Sequence, residues 1–245
     1  MNGLRLALSF LTTLPVLSLN YVYEADHWRA AIFWFPLIGG LVGALVWLTG
    51  WGAGQIFSNW LAAGLAVVAW AALTGGLHLD GLADCCDGLL ASVDREQRLE
   101  ILRDPHIGAF GAIGLVLFLG LKVGAVQGVL AVEQGVAIPA AAALGRTLIV
   151  WVARQPTARP GGMGAVFAAH IQLLTLFIIS LLPAIGLLLF GWRGGLALLV
   201  AAAVTIGIIR LARRRIGGMT GDVYGLTVEL VELSILLVFA AQSQR

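Results

Sequence analysis

Charge is scarce in this chain. Only 11% of its 245 residues are Asp, Glu, Lys or Arg, while 60% are hydrophobic. A water-soluble domain carries roughly 25% charged residues. The deficit implies that lipid surrounds most of the protein. A net charge of +2 is too small to argue for a nucleic-acid partner. Cysteine is nearly absent: Cys85 and Cys86 are adjacent, which excludes a disulfide framework. With no Cys-x-x-Cys pair and four scattered histidines, a zinc site is not expected. No low-complexity linker or soluble domain interrupts the chain, so residues 1–245 read as one membrane-embedded domain. The first 20 residues mimic a signal peptide, but Pro15 interrupts the apolar run and no small-x-small cleavage site follows. Residues 1–30 are therefore expected to be a retained interfacial segment.

Apolar stretches, by contrast, are plentiful. Seven can cross a bilayer, at roughly 31–49, 57–77, 107–130, 137–153, 173–191, 194–210 and 224–241. The expected fold is an all-α, polytopic helical bundle of about seven spans, with six as the alternative. Seven spans put the N-terminus and loops 78–106, 154–172 and 211–223 on one face. That face collects eleven arginines, from Arg5 and Arg29 to the run ending at Arg215; the other holds only Arg193 and Arg245. The positive-inside rule makes the first face cytoplasmic. Nearly all acids share it. A pore or pump needs polar groups along a path through the membrane. A one-sided polar face better suits chemistry on a cytoplasmic substrate.

Two groups of acids stand out. "HLDGLADCCDG" places Asp80, Asp84 and Asp87 at i, i+4 and i+7, within an arc of about 60° on a helix. Three anions so close repel by a few kcal/mol at an effective dielectric near 20. Oxygen ligands around Mg²⁺ or Mn²⁺ would neutralise them. "TGDVYGLTVELVEL" offers Asp222, Glu229 and Glu232 within an arc of about 80°. Glu229 and Glu232 lie in an apolar span and should point into the bundle. A shared divalent ion would join the two groups; the bland reading of the glutamates is a structural pair with an arginine. Mg²⁺ completes its shell with water and substrate phosphate, which points toward diphosphate chemistry. Asp104 is a further candidate. Arg103, Arg146 and Arg159 could hold phosphate oxygens; the run Arg210 to Arg215 reads more simply as an orientation signal. His78, or a carboxylate not used as a ligand, could accept a proton. Cys85 and Cys86 read as packing residues. The Gly-x-x-x-Gly spacings at Gly39/Gly43 and Gly120/Gly124/Gly128 should mark close helix contacts.

These residues also carry a resemblance. "GGLHLDGLADCCDGLL" resembles the signature of the cobalamin synthase family, the adenosylcobinamide-GDP ribazoletransferases. "FLTTLPV", "FPLIGGLVG", "RDPHIGAFGAIGLVL", Gly145-Arg146 and "GGMTGDVYGLTVELVEL" agree in order along nearly the whole chain. Cys85-Cys86 and Pro105-His106 depart from the family wording but spare the acids, and "FLTTLPV" lacks an arginine often found there. The resemblance implies a transferase that joins adenosylcobinamide-GDP to α-ribazole or its 5′-phosphate. GMP is released and adenosylcobalamin or its phosphate forms. It also implies Mg²⁺ dependence and a multi-pass place in the bacterial inner membrane; the charge sorting puts the active-site loops on the cytoplasmic side. On that reading Asp84, Asp87 and His78 are catalytic. Asp80, Asp84, Asp87, Asp222, Glu229 and Glu232 bind metal; Arg103, Asp104, Arg146 and Arg159 address the phosphates. The alternatives are another membrane transferase of the CDP-alcohol phosphotransferase type, or a cation-coupled transporter. Whether copies of the chain associate is left open.

Overall fold

The computed structural model describes residues 2–14, 16, 25–159 and 171–241. Pro15, Arg245 and most of the loop expected at 154–172 lie outside the described residues. Helices account for nearly all of it: α1 (Asn2–Leu11), α2 (Ala25–Ile32), α3 (Phe35–Gly54), α4 (Asn59–Thr74), α5 (Leu77–Leu90) and α6 (Arg95–Ile101). Then follow α7 (Ala109–Ala131), α8 (Ala137–Ala153), α9 (Leu173–Leu188), α10 (Trp192–Ile216) and α11 (Gly221–Ala240). Among the described residues there is no β-strand, only an isolated bridge between Thr157 and Met219.

All seven apolar stretches form helices, but not all are full spans. Among the described residues four helices, α3, α7, α10 and α11, are long and apolar enough to cross a bilayer. A fifth span exists if α4 and α5 count as one, bent by 93°. With 17 and 16 residues, α8 and α9 are shorter apolar helices. At 1.5 Å per residue they measure about 25 Å, short of a hydrocarbon core about 30 Å thick. The expected count of seven is therefore reduced to four or five by length. The 93° bend has a local cause. Gly75 and Gly76 both adopt left-handed backbone, φ 62° and 70°, which residues with a Cβ avoid. The polar loop expected after residue 77 is itself helical, and α5 carries the first group of acids.

At the centre stands α11, packed on α5, α7, α8 and α10. Its apolar stretch is 72% buried, against 28–33% for α3, α7 and α10. Exposed Leu37, Leu41, Leu45 and Leu48 form a stripe along α3, as a lipid-facing helix requires. Without a hydrophobic driving force in lipid, close backbone approach holds helices together. Gly39 and Gly43 provide it. A Cβ on Gly43 would lie 2.6 Å from Pro139 Cα on α8, and one on Gly39 2.9 Å from Ala143 Cα. The second glycine series behaves differently: Gly128 packs on Ala240, while Gly120 and Gly124 meet nothing within 4 Å.

Loops expected on one face do meet at one end of the bundle. Met219 N–H donates to Pro156 O (2.9 Å), Arg159 to Leu99 O (2.8 Å), Arg95 to Ile216 O (3.0 Å) and Arg213 to Gln155 (2.7 Å). Arg193 instead pairs with Gln134 (3.4 Å), joining two loops that the same sorting places on the other face.

Candidate active site

Two distant segments make the site, and glycine lets them touch. A Cβ on Gly81 of α5 would sit 2.8 Å from Asp222 O and 3.1 Å from Asp222 Cα on α11. One on Gly225 would sit 3.0 Å from His78 O. The helices thus pack backbone to backbone just where Asp80 and Asp222 lie. The Asp84 carboxylate feels the charges of Asp222, then Asp80, then Asp87, all negative. The sequence expectation that the two groups of acids approach each other is met by the aspartates.

Asp80 is exposed and lines two cavities. One, of about 200 Å³, is walled by Phe10, Trp28, His78, Ile149, Asp222 and Tyr224. The other, of about 440 Å³, is bordered by Asp84, Ala83, Leu79, Pro105 and Ile107. The N-terminal segment, expected only to lie at the interface, supplies Phe10 and Trp28 to the first cavity, their rings edge to face at 5.4 Å.

Asp87 is engaged otherwise. Its carboxylate accepts hydrogen bonds from Gly108 N–H (2.8 Å) and Gly111 N–H (2.9 Å). It thereby caps the N-terminus of α7, where four amides lack intrahelical partners. A Cβ on either glycine would collide with that carboxylate. The far end of α5 is capped too: buried Arg98 donates to Gly88 O and Leu89 O, both at 3.0 Å. Asp87 and Arg98 together fix the helix that presents Asp80 and Asp84.

Glu229 and Glu232 do not join the aspartates. Lys122 Nζ donates to Glu229 Oε2 (2.6 Å) and Glu232 Oε2 (2.8 Å). Arg146 Nη1 pairs with the other oxygen of Glu232 and reaches Ala142 O (3.3 Å). All four side chains are buried, and Lys122 also lies 4.1 Å above the Trp70 ring. The expected single cluster of six acids is therefore two clusters, one of aspartates and one of two glutamates neutralised by two cations. The physical reason is depth: Glu229 and Glu232 are about 10 and 15 Å along the helix from Asp222. Arg146, expected on phosphate, is enclosed within this network. Lys122 was not assigned a role from sequence. Its signal was present, for it is the one lysine in the chain and stands mid-span, where a bare cation needs a partner.

Among the described residues, Arg159 lies near Asp222, and Arg103 lies near Arg159. Arg159 feels Asp222 and Arg103. Its Nε has no partner among the described residues. Burial pulls its guanidinium below the usual arginine range, with Asp222 partly offsetting this. Arg103 is exposed. Asp104 pairs with its neighbour: His106 N–H donates to Asp104 Oδ1 (3.0 Å), and His106 Nδ1 lies 2.6 Å from the same atom. These bonds hold the Asp104 carboxyl below its usual range.

The sequence model for cobalamin-5-phosphate synthase matches residues 3–240. This chain belongs to that family. Among similar proteins, an adenosylcobinamide-GDP ribazoletransferase of Stutzerimonas stutzeri is 38% identical over 250 residues, covering 100% of both chains. One of Roseiflexus is 38% identical over 232 residues, covering 94% of this chain and 86% of the relative. One of Klebsiella pneumoniae is 37% identical, covering 94% and 96%. No solved structure matches. Membership bears out the resemblance carried by the aspartate-rich and C-terminal motifs.

The aspartates suit a hard divalent cation by donor type. They are all oxygen, and the nearest charges on Asp84 are of its own sign. Among the described residues, no three His, Cys, Asp or Glu side chains lie close enough together to hold a metal ion by themselves.

Proposed function

We propose that this cobalamin-5-phosphate synthase family member is the adenosylcobinamide-GDP ribazoletransferase of its cell. It would transfer the adenosylcobinamide phosphoryl group to α-ribazole or its 5′-phosphate. A hydroxyl oxygen of the acceptor attacks the phosphorus bonded to the corrinoid arm. The P–O bond to the bridging oxygen breaks, and GMP leaves with that bond's electron pair. The hydroxyl proton passes to one carboxylate of the cluster. The observation that carries this reading is the backbone contact of Gly81 with Asp222, which sets the segment of Asp80 and Asp84 against that of Asp222 beside two cavities.

Asp80, Asp84 and Asp222 would offer oxygen ligands to Mg²⁺, or Mn²⁺ in its place, with substrate phosphate and water completing the shell, since the three are not gathered as a ready-made site. The ion supplies charge neutralisation for diphosphate oxygens. Arg159, near Asp222, and Arg103, near Arg159, would address the phosphates. Asp87 acts by holding α5 to α7. Lys122, Glu229, Glu232 and Arg146 bind α7, α8 and α11 into one frame behind the site.

The concentration of arginines at the end bearing the site supports a cytoplasmic-facing active site in the bacterial inner membrane. Purified protein given adenosylcobinamide-GDP and α-ribazole should release GMP only when Mg²⁺ is present. GMP release in the absence of either co-substrate, or equal release in EDTA, refutes this reading.

A further inference from the structure

The two cavities are unequal, and Asp80 belongs to both. Displacement at phosphorus runs in line, with attacking and leaving oxygens on opposite sides. An acceptor in one cavity and a leaving nucleotide in the other would meet this requirement at the shared wall. The smaller cavity, about 200 Å³, lies below the roughly 300–1,000 Å³ of a drug-sized site. It is larger than the ~150 Å³ engineered cavity that takes up benzene. Its walls are Phe10, Trp28, Ile149 and Tyr224, with the carboxylates of Asp80 and Asp222 also lining it. An azole nucleoside has this form: a flat aromatic base with a hydroxyl-bearing ribose. A corrinoid is far too large.

The second observation is His78. It lines the same cavity and is 3% exposed, yet its Nδ1 has no hydrogen-bond partner among the described residues. A buried polar atom left so is costly, and one bond to a ligand would satisfy it.

We propose that this aromatic cavity, built in part by the N-terminal segment, is the pocket for the flat base of the acceptor nucleoside. The base lies among Phe10, Trp28, Ile149 and Tyr224, His78 bonds its polar edge, and the ribose hydroxyl reaches the aspartates. The sequence signal is that "FLTTLPV" contributes Phe10 and "TGDVYG" contributes Tyr224. This inference rests on the acceptor named in the proposed function.

The test uses full-length protein in lipid nanodiscs and two variants acting on the cavity in opposite ways. Trp28→Leu removes an aromatic wall, and Ile149→Phe fills the space. Each should raise KM for α-ribazole about tenfold, the usual scale for one base–aromatic contact, and leave KM for adenosylcobinamide-GDP within about twofold. His78→Leu should show the same split, and His78→Gln, which restores a hydrogen-bonding group, should recover most of the loss. α-Ribazole alone should quench tryptophan fluorescence, less so in Trp28→Leu; this readout needs no turnover. Wild-type protein that binds α-ribazole but releases no GMP defeats the proposed activity and leaves the pocket standing. Unchanged α-ribazole affinity in both cavity variants, or a rise confined to the donor's KM, overturns the pocket.

Discussion

Replacing Lys122 by Met tests the frame behind the site. The ammonium is 2.6 Å from Glu229 and 2.8 Å from Glu232, and both pairs are almost fully enclosed. At an effective dielectric near 20, each attraction amounts to about 6 kcal/mol. Desolvation of the ions takes back most of that sum, so the pairs do not add twice that to stability. Removing one partner is still costly, because the other is left buried and alone: about 3–5 kcal/mol. Glu232 keeps Arg146, so the loss should fall on Glu229. That corresponds to roughly two to four orders of magnitude in the folded-to-unfolded ratio. The assay is equilibrium unfolding in mixed detergent micelles, read through tryptophan fluorescence, with Lys122→Met, Glu229→Gln and the double variant compared. The double variant removes both charges and should recover at least half of the single variant's loss. A Lys122→Met protein as stable as wild type, or a double variant no better than Lys122→Met, would show that Glu229 does not depend on Lys122.

Asp84→Asn should abolish GMP release while leaving membrane insertion and the melting profile intact; normal turnover in it would remove Asp84 from the site. Asp87→Ala should cost about 1 kcal/mol through loss of the α7 cap and reduce turnover only in part; complete inactivation of a folded Asp87→Ala protein would instead give Asp87 a direct role. Gly81→Val, with its Cβ directed at the Asp222 backbone, should cost about 1–3 kcal/mol by overpacking and depress turnover at saturating substrate; full activity would mean that close contact of α5 and α11 is dispensable.

Composition alone settled the solvent. A chain with 11% charged residues suits lipid better than water, and helices let a backbone satisfy its hydrogen bonds there. Periodicity located the seven apolar helices α3, α4 and α7 to α11. It could not count spans, because a helix of 16 or 17 residues is apolar by the same measure as one of 20 and differs in length alone. Nor could it show that Gly75-Gly76, with φ of 62° and 70°, make a 93° bend that turns α5 away from α4. Gly120 and Gly124 show the converse: a spacing that permits packing does not supply a neighbour.

The acids divide along the same line. Spacing put Asp80, Asp84 and Asp87 on one face of α5, and Asp222, Glu229 and Glu232 on one face of α11. Helical angle is a local property, legible from residue numbers. Which of these groups finds metal, an amide or a cation depends on what other segments bring to that depth. Asp87 meets the α7 amides, and Glu229 and Glu232 meet Lys122 and Arg146. Asp80, Asp84 and Asp222 remain beside two cavities, one of them walled by residues from the N-terminal segment. The chain by itself determined that carboxylates would be drawn into an apolar bundle. Their partners were decided only by tertiary packing, since electrostatic energy depends on distance through space and the helices that set those distances are far apart along the chain.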